Sequence, residues 1–462
     1  MTMTCDQAQA RTATHPRWQE ARELLGYIHR LEPCSVVGIS NIGKSFFMRL
    51  LCDPEVQRAH LGSEAEQLAL VYIDCNRMLE MSDQGFYELV LRCILDQLRE
   101  PIQARDLTRE VRTAYEAVVS PPSPFHVPLS FNQAITALIN QLQRRLVLLF
   151  DEFDAPLARI EGRVFLNLRA LRDQYPGCLT YVTATNRRLG EIRGGEDVGE
   201  FNELFAHHRF YLGPLSELDA RQFIAAFIRR EPVTFDEADI RFILEWAGGH
   251  PGLLEAVCWE LGSVTGEPVR DALQDRIIHR QVEERLGSSL NVRSECTKIW
   301  RQLTDEEQAA LLALFDPGQQ PNPVGLTSLW QKRVLVANGD DPQLFSRAFT
   351  EYVQRQHLVQ RPEARGIVVD VDSGEVYVDG KPVPALTNLE YRLLLLLYGR
   401  MGKICDKYTV VESVWGEAYI NEVDDARIEK LVSRLRQKIE PDPSHPRYLI
   451  TVRGRGYKLV GG

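Results

Sequence analysis

The stretch Ser35-Val-Val-Gly38-Ile-Ser-Asn41-Ile-Gly43-Lys44-Ser45-Phe46-Phe-Met-Arg-Leu-Leu51 constrains this chain more than any other. It reads as a short apolar strand, a glycine-bounded loop and an apolar-periodic helix, and the loop fits G-x-x-x-x-G-K-[ST] at every fixed position. Gly38 and Gly43 let the backbone curl so that successive N–H groups point at phosphate oxygens. The following helix adds its free N–H groups and the positive end of its dipole. Lys44 then reaches the β- and γ-phosphates and the Ser45 hydroxyl serves Mg²⁺, with Asn41 and Phe46 among the expected nucleotide contacts.

A chain of 462 residues is too long for one ordinary core, which predicts two to four domains. Its 44% hydrophobic and 26% charged residues are ordinary for a soluble globular protein. A net charge of −10 excludes indiscriminate nucleic-acid binding by the whole surface but allows one basic module. None of the nine cysteines forms a C-x-x-C pair, so neither a zinc site nor a disulfide framework is expected, and a reducing cytosol fits best. No apolar run reaches membrane-span length, and Met1 to His15 lacks a signal-peptide core. The expectation is a cytoplasmic chain with no membrane partner.

Residues 1–17 read as a disordered N-terminus and 18–213 as an α/β domain with a doubly wound parallel sheet. Helices are expected over Trp18–Leu31, Phe86–Leu98 and Phe131–Arg145. Leu68 to Asp74 is a continuous apolar run suited to a strand buried on both faces. Leu146-Val-Leu-Leu-Phe150-Asp151-Glu152 is a strand ending in two carboxylates, as Mg²⁺-dependent hydrolysis requires. Asp151 can hold the metal through its water shell, and Glu152 can orient and polarise the attacking water. Acidic residues here could also cap the next helix, but the upstream phosphate loop favours the metal. The strand Leu179 to Thr185 ends at Asn186, which could position water, sense the γ-phosphate or simply cap the strand. The ligand is expected at the carboxyl ends of these strands.

From Leu215 the pattern turns helical, and 214–292 reads as a lid. Within it, Gly248-Gly249-His250-Pro251-Gly252 ends one helix and starts the next. With this turn, residues 18 to about 360 resemble the STAND-type ATPases of the AAA+ group, specifically the prokaryotic members with Gly-His-Pro in the lid. The resemblance implies that His250 and Pro251 contact the β-phosphate and base. It also implies ATP or ADP with Mg²⁺ as cofactors, and a homo-oligomer when ATP is bound. Many relatives carry Gly-Arg before the first strand, where this chain has Pro16-Arg17-Trp18-Gln19. Residues 293–362, with a capping box at Thr304 and Glu307, resemble the winged helix that follows the lid in these proteins and acts as a switch.

Residues 363–462 form a separate module. Short strands from Ile367 precede a capping box, Thr387 and Glu390, on an apolar helix. A second helix ends at Trp415-Gly416, a third covers Asp425–Glu440, and Tyr448 to Val460 reads as a hairpin wing. The landmarks LTxxE, VWG, SRLRxKIE and TVRGRGYKL resemble the OmpR/PhoB-type winged helix, the DNA-binding effector domain of many bacterial response regulators. Here an ATPase stands where such modules usually follow a phosphoacceptor receiver. Nine basic and three acidic residues lie between Arg427 and Lys458. Arg427, Lys430, Arg434 and Lys438 recur every three or four residues, so they share a helix face that can enter a major groove. Arg453, Arg455 and Tyr457 on the wing are expected at the DNA backbone or minor groove.

The combined reading is a P-loop ATPase with a helical lid and two winged helices, acting as a nucleotide-gated transcription regulator that binds a specific double-stranded DNA site. Transcription machinery is a further expected partner. A rival reading is a DNA-sensing, DNA-processing or antiphage defence ATPase with the last winged helix as a docking element. An initiator-like loader is a third.

Overall fold

The computed structural model describes residues 15–97, 105–264, 272–287, 289–316, 318–338, 341–360, 366–369, 374–416, 423–452 and 454–460. They fall into two compact units. The first holds the chain through Leu286 together with Ser294–Ala310 and Asn322–Phe349, and the second holds Gly287–Arg293, Leu311–Pro321 and Thr350 onward.

The first unit is built on five parallel strands: β1 (Cys34–Val37), β2 (Leu68–Asp74), β3 (Arg145–Asp151), β4 (Leu179–Thr185) and β5 (Arg209–Tyr211). Their order is β2-β3-β4-β1-β5. Every residue of β1 and β4, and all of β3 but Arg145, is buried, which is why these strands read as unbroken apolar runs. Because β4 lies between β1 and β3, its end delivers Asn186 between the phosphate loop and the two carboxylates. This is a P-loop NTPase fold.

Helix α1 (Trp18–His29) precedes β1, and α2 (Lys44–Leu51) starts inside the phosphate loop. Arg17 overturns part of the disordered N-terminus expected over residues 1–17, of which 1–14 lie outside the described residues. Its side chain is 1% exposed, with Nη2 donating to the carbonyls of Ile42 (2.6 Å) and Gly213 (2.9 Å). The helix expected over Phe131–Arg145 occupies His126–Gln141 instead. Gln143 takes a left-handed φ of 53°, and Arg145 already pairs with Leu68 of β2. The helix Arg105–Val119 was not foreseen, although Leu107, Val111, Ala114 and Val118 form a buried stripe at helical spacing.

The segment expected as a lid contributes α3 (Glu217–Arg230), a helix over Glu237–Ala247 and α4 (Pro251–Gly262). Helix α5 (Leu290–Gln302) follows, then helices Asp305–Ala313 and Pro323–Gln331 and the antiparallel pair Leu335–Asn338 and Asp341–Leu344. Gly339 and Asp340, between these two strands in sequence, lie outside the described residues.

The second unit contains the C-terminal winged helix. An antiparallel sheet of Ile367–Val369, Val376–Val378 and Lys381–Pro382 precedes helices Asn388–Gly399 and Lys407–Trp415 and helix α6 (Asp425–Ile439). The hairpin Leu449–Val452 and Gly456–Leu459 closes it. Helix α6 buries Ile428, Leu431, Val432, Leu435 and Ile439. That spacing turns the opposite face, with Arg427, Lys430 and Arg434, to solvent.

Among the described residues no helix is long and apolar enough to cross a membrane, and every described cysteine is a free thiol.

Candidate nucleotide site and nucleic-acid interface

The phosphate loop owes its shape to backbone sterics. A Cβ at Gly38 would sit 2.8 Å from Ile42 Cγ2 and 3.0 Å from the Leu212 carbonyl oxygen, so only glycine fits. Gly43 has φ 96° and Asn41 φ 53°, a left-handed conformation that asparagine tolerates. Lys44 is buried at the start of α2, and Nζ donates to Gly38 O (2.9 Å), Ile39 O (3.2 Å) and Asn186 Oδ1 (2.7 Å). Burial holds its ammonium below the usual lysine range, while Glu152, Asp154 and Asp151 oppose that shift. Ser45 lies half-buried on the first turn of α2.

Asp151 is fully buried at the end of β3. The Tyr72 hydroxyl donates to its Oδ2 (2.7 Å), and the Glu152 N–H donates to its Oδ1 (3.0 Å). Arg49 braces Tyr72 with a hydrogen bond of 3.4 Å and its guanidinium 5.4 Å from the ring centroid. Glu152 has φ 52°, a strained value for a residue with a side chain. Burial raises its pKa; Lys44 counters this, and Asp151 and Asp154 push it further up. Asp154 accepts the Asn186 N–H at 3.0 and 3.1 Å. Three carboxylates thus crowd one lysine, an excess of negative charge that suits a divalent cation. Among the described residues no three His, Cys, Asp or Glu side chains form a metal site unaided, so such an ion would share its ligands with phosphate.

His250, which caps α4, meets the loop from this helical segment. Its Nδ1 accepts the Leu253 N–H (3.2 Å), so Nε2 carries the proton and donates to the Ser40 carbonyl (2.8 Å). Burial depresses its pKa from the ordinary 6.5 to about 4, so the ring is neutral at pH 7. The native state therefore binds this proton more weakly than the unfolded chain does. Stability is flat here above pH 7 and falls as pH drops from 6.5 to about 4, by a total of about 3 kcal/mol. His250→Asn keeps an N-cap but removes the titrating ring. Its melting temperature should fall less steeply over that window, and an unchanged slope would refute the assignment.

Helix α5 grips the same loop from outside. Gln302 Oε1 accepts the Ser40 N–H (2.6 Å), and Glu295 Oε2 accepts from Asn41 Nδ2 (2.7 Å). Beside the loop lies a cavity of about 660 Å³ lined by Pro16, Arg17, Gly43, Phe46, Gln222 and Pro251, among others. The structure thus gathers Gly38, Asn41, Gly43, Lys44, Ser45, Phe46, Asp151, Glu152, Asn186, His250 and Pro251 around one centre. Sequence reading missed Arg17, Tyr72, Glu295 and Gln302, which no motif marks.

On the C-terminal domain, Arg427, Lys430 and Arg434 stand exposed on α6, and Arg455 is exposed in the hairpin turn. Arg453 lies outside the described residues. Two expected DNA contacts need correction. Lys438 Nζ is held by Glu390 Oε2 and the Ala385 carbonyl, both at 2.7 Å, because the last turn of α6 leans on the capping box. Tyr457 is 3% exposed and packs in the core, because its alternate position on the strand points inward. Arg436 ties α6 to the hairpin through Leu449 O (2.9 and 2.6 Å) and Thr451 Oγ1 (2.8 Å).

Residues 380–459 match the family described as "Transcriptional regulatory protein, C terminal". The sensory transduction protein RegX3 of Mycolicibacterium smegmatis is 39% identical over 99 residues, 21% of this chain and 42% of its own length. The chain thus spans less than half of that relative. Among solved structures, a Walker-type ATPase of Pyrococcus abyssi is similar over 73% of this chain and 95% of its own, with 15% identity and a TM-score of 0.44. The Klebsiella pneumoniae RstA DNA-binding domain, solved with the RstA box, is 26% identical over 21% of this chain and 91% of its own, with a TM-score of 0.19. From its phosphate loop, its sheet order and the family match at its end, the chain joins an N-terminal domain of P-loop ATPase-like fold to a C-terminal DNA-binding domain of the OmpR/PhoB type.

Proposed function

We propose that this chain is a nucleotide-gated DNA-binding regulator. ATP occupies the phosphate loop, and its state controls sequence-specific duplex binding by the C-terminal winged helix, with transcription as the output. Ser45 and Asp151 would hold Mg²⁺, which supplies charge neutralisation at the phosphates, and Glu152 would polarise the attacking water. In this reading the ATP-bound form is a homo-oligomer, as in the STAND-type proteins that the first unit resembles.

The observation that carries the gating is the double hold on Ser40: the lid's His250 takes its carbonyl and Gln302 of α5 takes its N–H. A polyphosphate that reshapes this loop acts on both elements at once. A second tie supports it, because Arg188, two residues beyond Asn186, donates to Gln331 Oε1 (2.6 Å) at the end of the helix Pro323–Gln331. A ligand shifts such an equilibrium only by its differential affinity for the two states.

Glu152→Gln tests the proposal. The variant should bind ATP without turnover, and its affinity for a specific DNA site should differ about tenfold between the ATP- and ADP-loaded forms, a coupling of about 1.4 kcal/mol. Fluorescence anisotropy on labelled duplex reads this directly. Equal affinities in both nucleotide states would sink the gating.

A further inference from the structure

We propose that Arg436 and Glu440 are positioning residues that lock the C-terminal hairpin to α6, so that helix and hairpin turn meet duplex DNA as one preorganised body. The inference rests on the reading of α6 and the hairpin as the DNA-contacting elements, and adds what sets their spacing.

The hairpin strand Leu449–Val452 is the edge of a three-stranded sheet, with Gly456–Leu459 in the middle and Ile404–Cys405 on the far side. Packing fixes the middle strand, where Gly456, Tyr457 and Leu459 are buried. The edge strand has less to hold it, because only Leu449 of its four residues is buried. Its place depends on hydrogen bonds, and the end of α6 supplies a second set of them. Arg436, in the last turn, donates through Nε (2.9 Å) and Nη2 (2.6 Å) to the Leu449 carbonyl and through Nη2 to Thr451 Oγ1 (2.8 Å). Glu440 caps the helix four residues later and is buried. Its carboxylate accepts three consecutive main-chain N–H groups, from Arg447 (2.7 Å), Tyr448 (2.9 and 3.1 Å) and Leu449 (2.6 Å).

Both main-chain groups of Leu449 are thus held by one helix end, through bonds to ionised side chains, which are the stronger class. The basic face of α6 takes no part in this: Arg427, Lys430 and Arg434 stay exposed, as does Arg455 in the turn that the edge strand leads into. Groups held in their binding geometry before the encounter spare the complex the cost of ordering them. An edge strand released from α6 would let the turn wander relative to the helix, and that cost would return.

A double-mutant cycle on the full chain tests this, read by fluorescence anisotropy on a labelled duplex that the wild-type chain enriches from a random pool. One phosphate contact is worth about eightfold in affinity at about 0.1 M salt, from a slope of about 0.9 per phosphate. Arg455→Ala should cost about that much in wild type. Arg436→Met removes the donors, keeps the aliphatic stem and should weaken binding about as much. In its background Arg455→Ala should cost less than about twofold, because the turn is no longer presented. Arg427→Ala, whatever its cost, should cost the same in both backgrounds. Arg436→Lys, which keeps the charge and one donor, should restore part of the Arg455 contribution. A melting curve checks each variant, and Glu440→Gln carries the same cycle should Arg436→Met fail to fold. Full additivity of the clamp variant with Arg455→Ala overturns the inference and leaves the hairpin contact standing. No effect of Arg455→Ala in wild type overturns the hairpin contact and this inference together, leaving α6 as the reader. Failure of the wild-type chain to enrich any duplex overturns the DNA reading and the inference with it.

Discussion

Lys44→Ala should abolish ATP binding, with a loss of at least about a hundredfold in affinity, since charge-assisted hydrogen bonds to a buried anion are worth about 1.5–3 kcal/mol each. The ammonium is buried and is the cation facing Asp151, Glu152 and Asp154. Its removal strips the phosphate of its counter-charge and leaves three carboxylates to repel what remains. It also orphans Asn186 Oδ1, which Lys44 Nζ holds at 2.7 Å. Lys44→Met refills the volume without restoring the charge or the donor, so it separates both effects from a packing defect. Equilibrium binding of labelled ATP decides the matter, and wild-type affinity in either variant would remove the phosphate-loop assignment.

The second large effect is expected on DNA. Replacing Arg427, Lys430 and Arg434 together by alanine should end specific binding. If all three meet phosphates, the slope of log affinity against log salt falls by about three units, at about 0.9 per phosphate. Where one of them meets a base edge, about 1–3 kcal/mol and the preference at one base pair are lost instead. The substitutions leave the fold intact because the three side chains are exposed and the buried face of α6 is untouched. ATP binding should be unaltered, since the phosphate loop belongs to the other unit. Mobility shifts at two salt concentrations, with ATP binding in parallel, read both. Protection of the same DNA site by the triple variant would place the reader elsewhere.

Legibility in the sequence followed covalent locality. The phosphate loop, the carboxylate pair after β3 and the His-Pro turn are each contiguous, and chemistry fixes their spacing. The C-terminal winged helix was readable end to end for the same reason, since its capping box, helix face and hairpin are local patterns. Tyr72, Gln302 and Glu295 carry no such mark, because each meets its site by tertiary approach. The Gln302 contact to Ser40 spans 262 residues. Lys438 and Tyr457 failed in another way. Helical spacing placed Lys438 on the basic face, but a lysine at the last turn of α6 is close enough to Glu390 to be taken by it. Tyr457 follows the arginine-rich turn in sequence, yet strand alternation sends it into the core. Arg17 was hidden because a polar tail reads as disorder, whereas its guanidinium satisfies two buried carbonyls.

The left-handed backbone at Glu152, with φ 52°, bears on how lineages of this chain would drift. A residue with a side chain costs about 1 kcal/mol in that conformation, and asparagine or glycine would relieve part of it. Selection for stability alone therefore pulls position 152 away from glutamate, and under the proposed function it is selection for turnover that holds it there. In descendants that keep ATP as a bound structural ligand and abandon hydrolysis, position 152 would be among the first in the domain to change. The residue found there sorts turning-over lineages from static ones before any rate is measured.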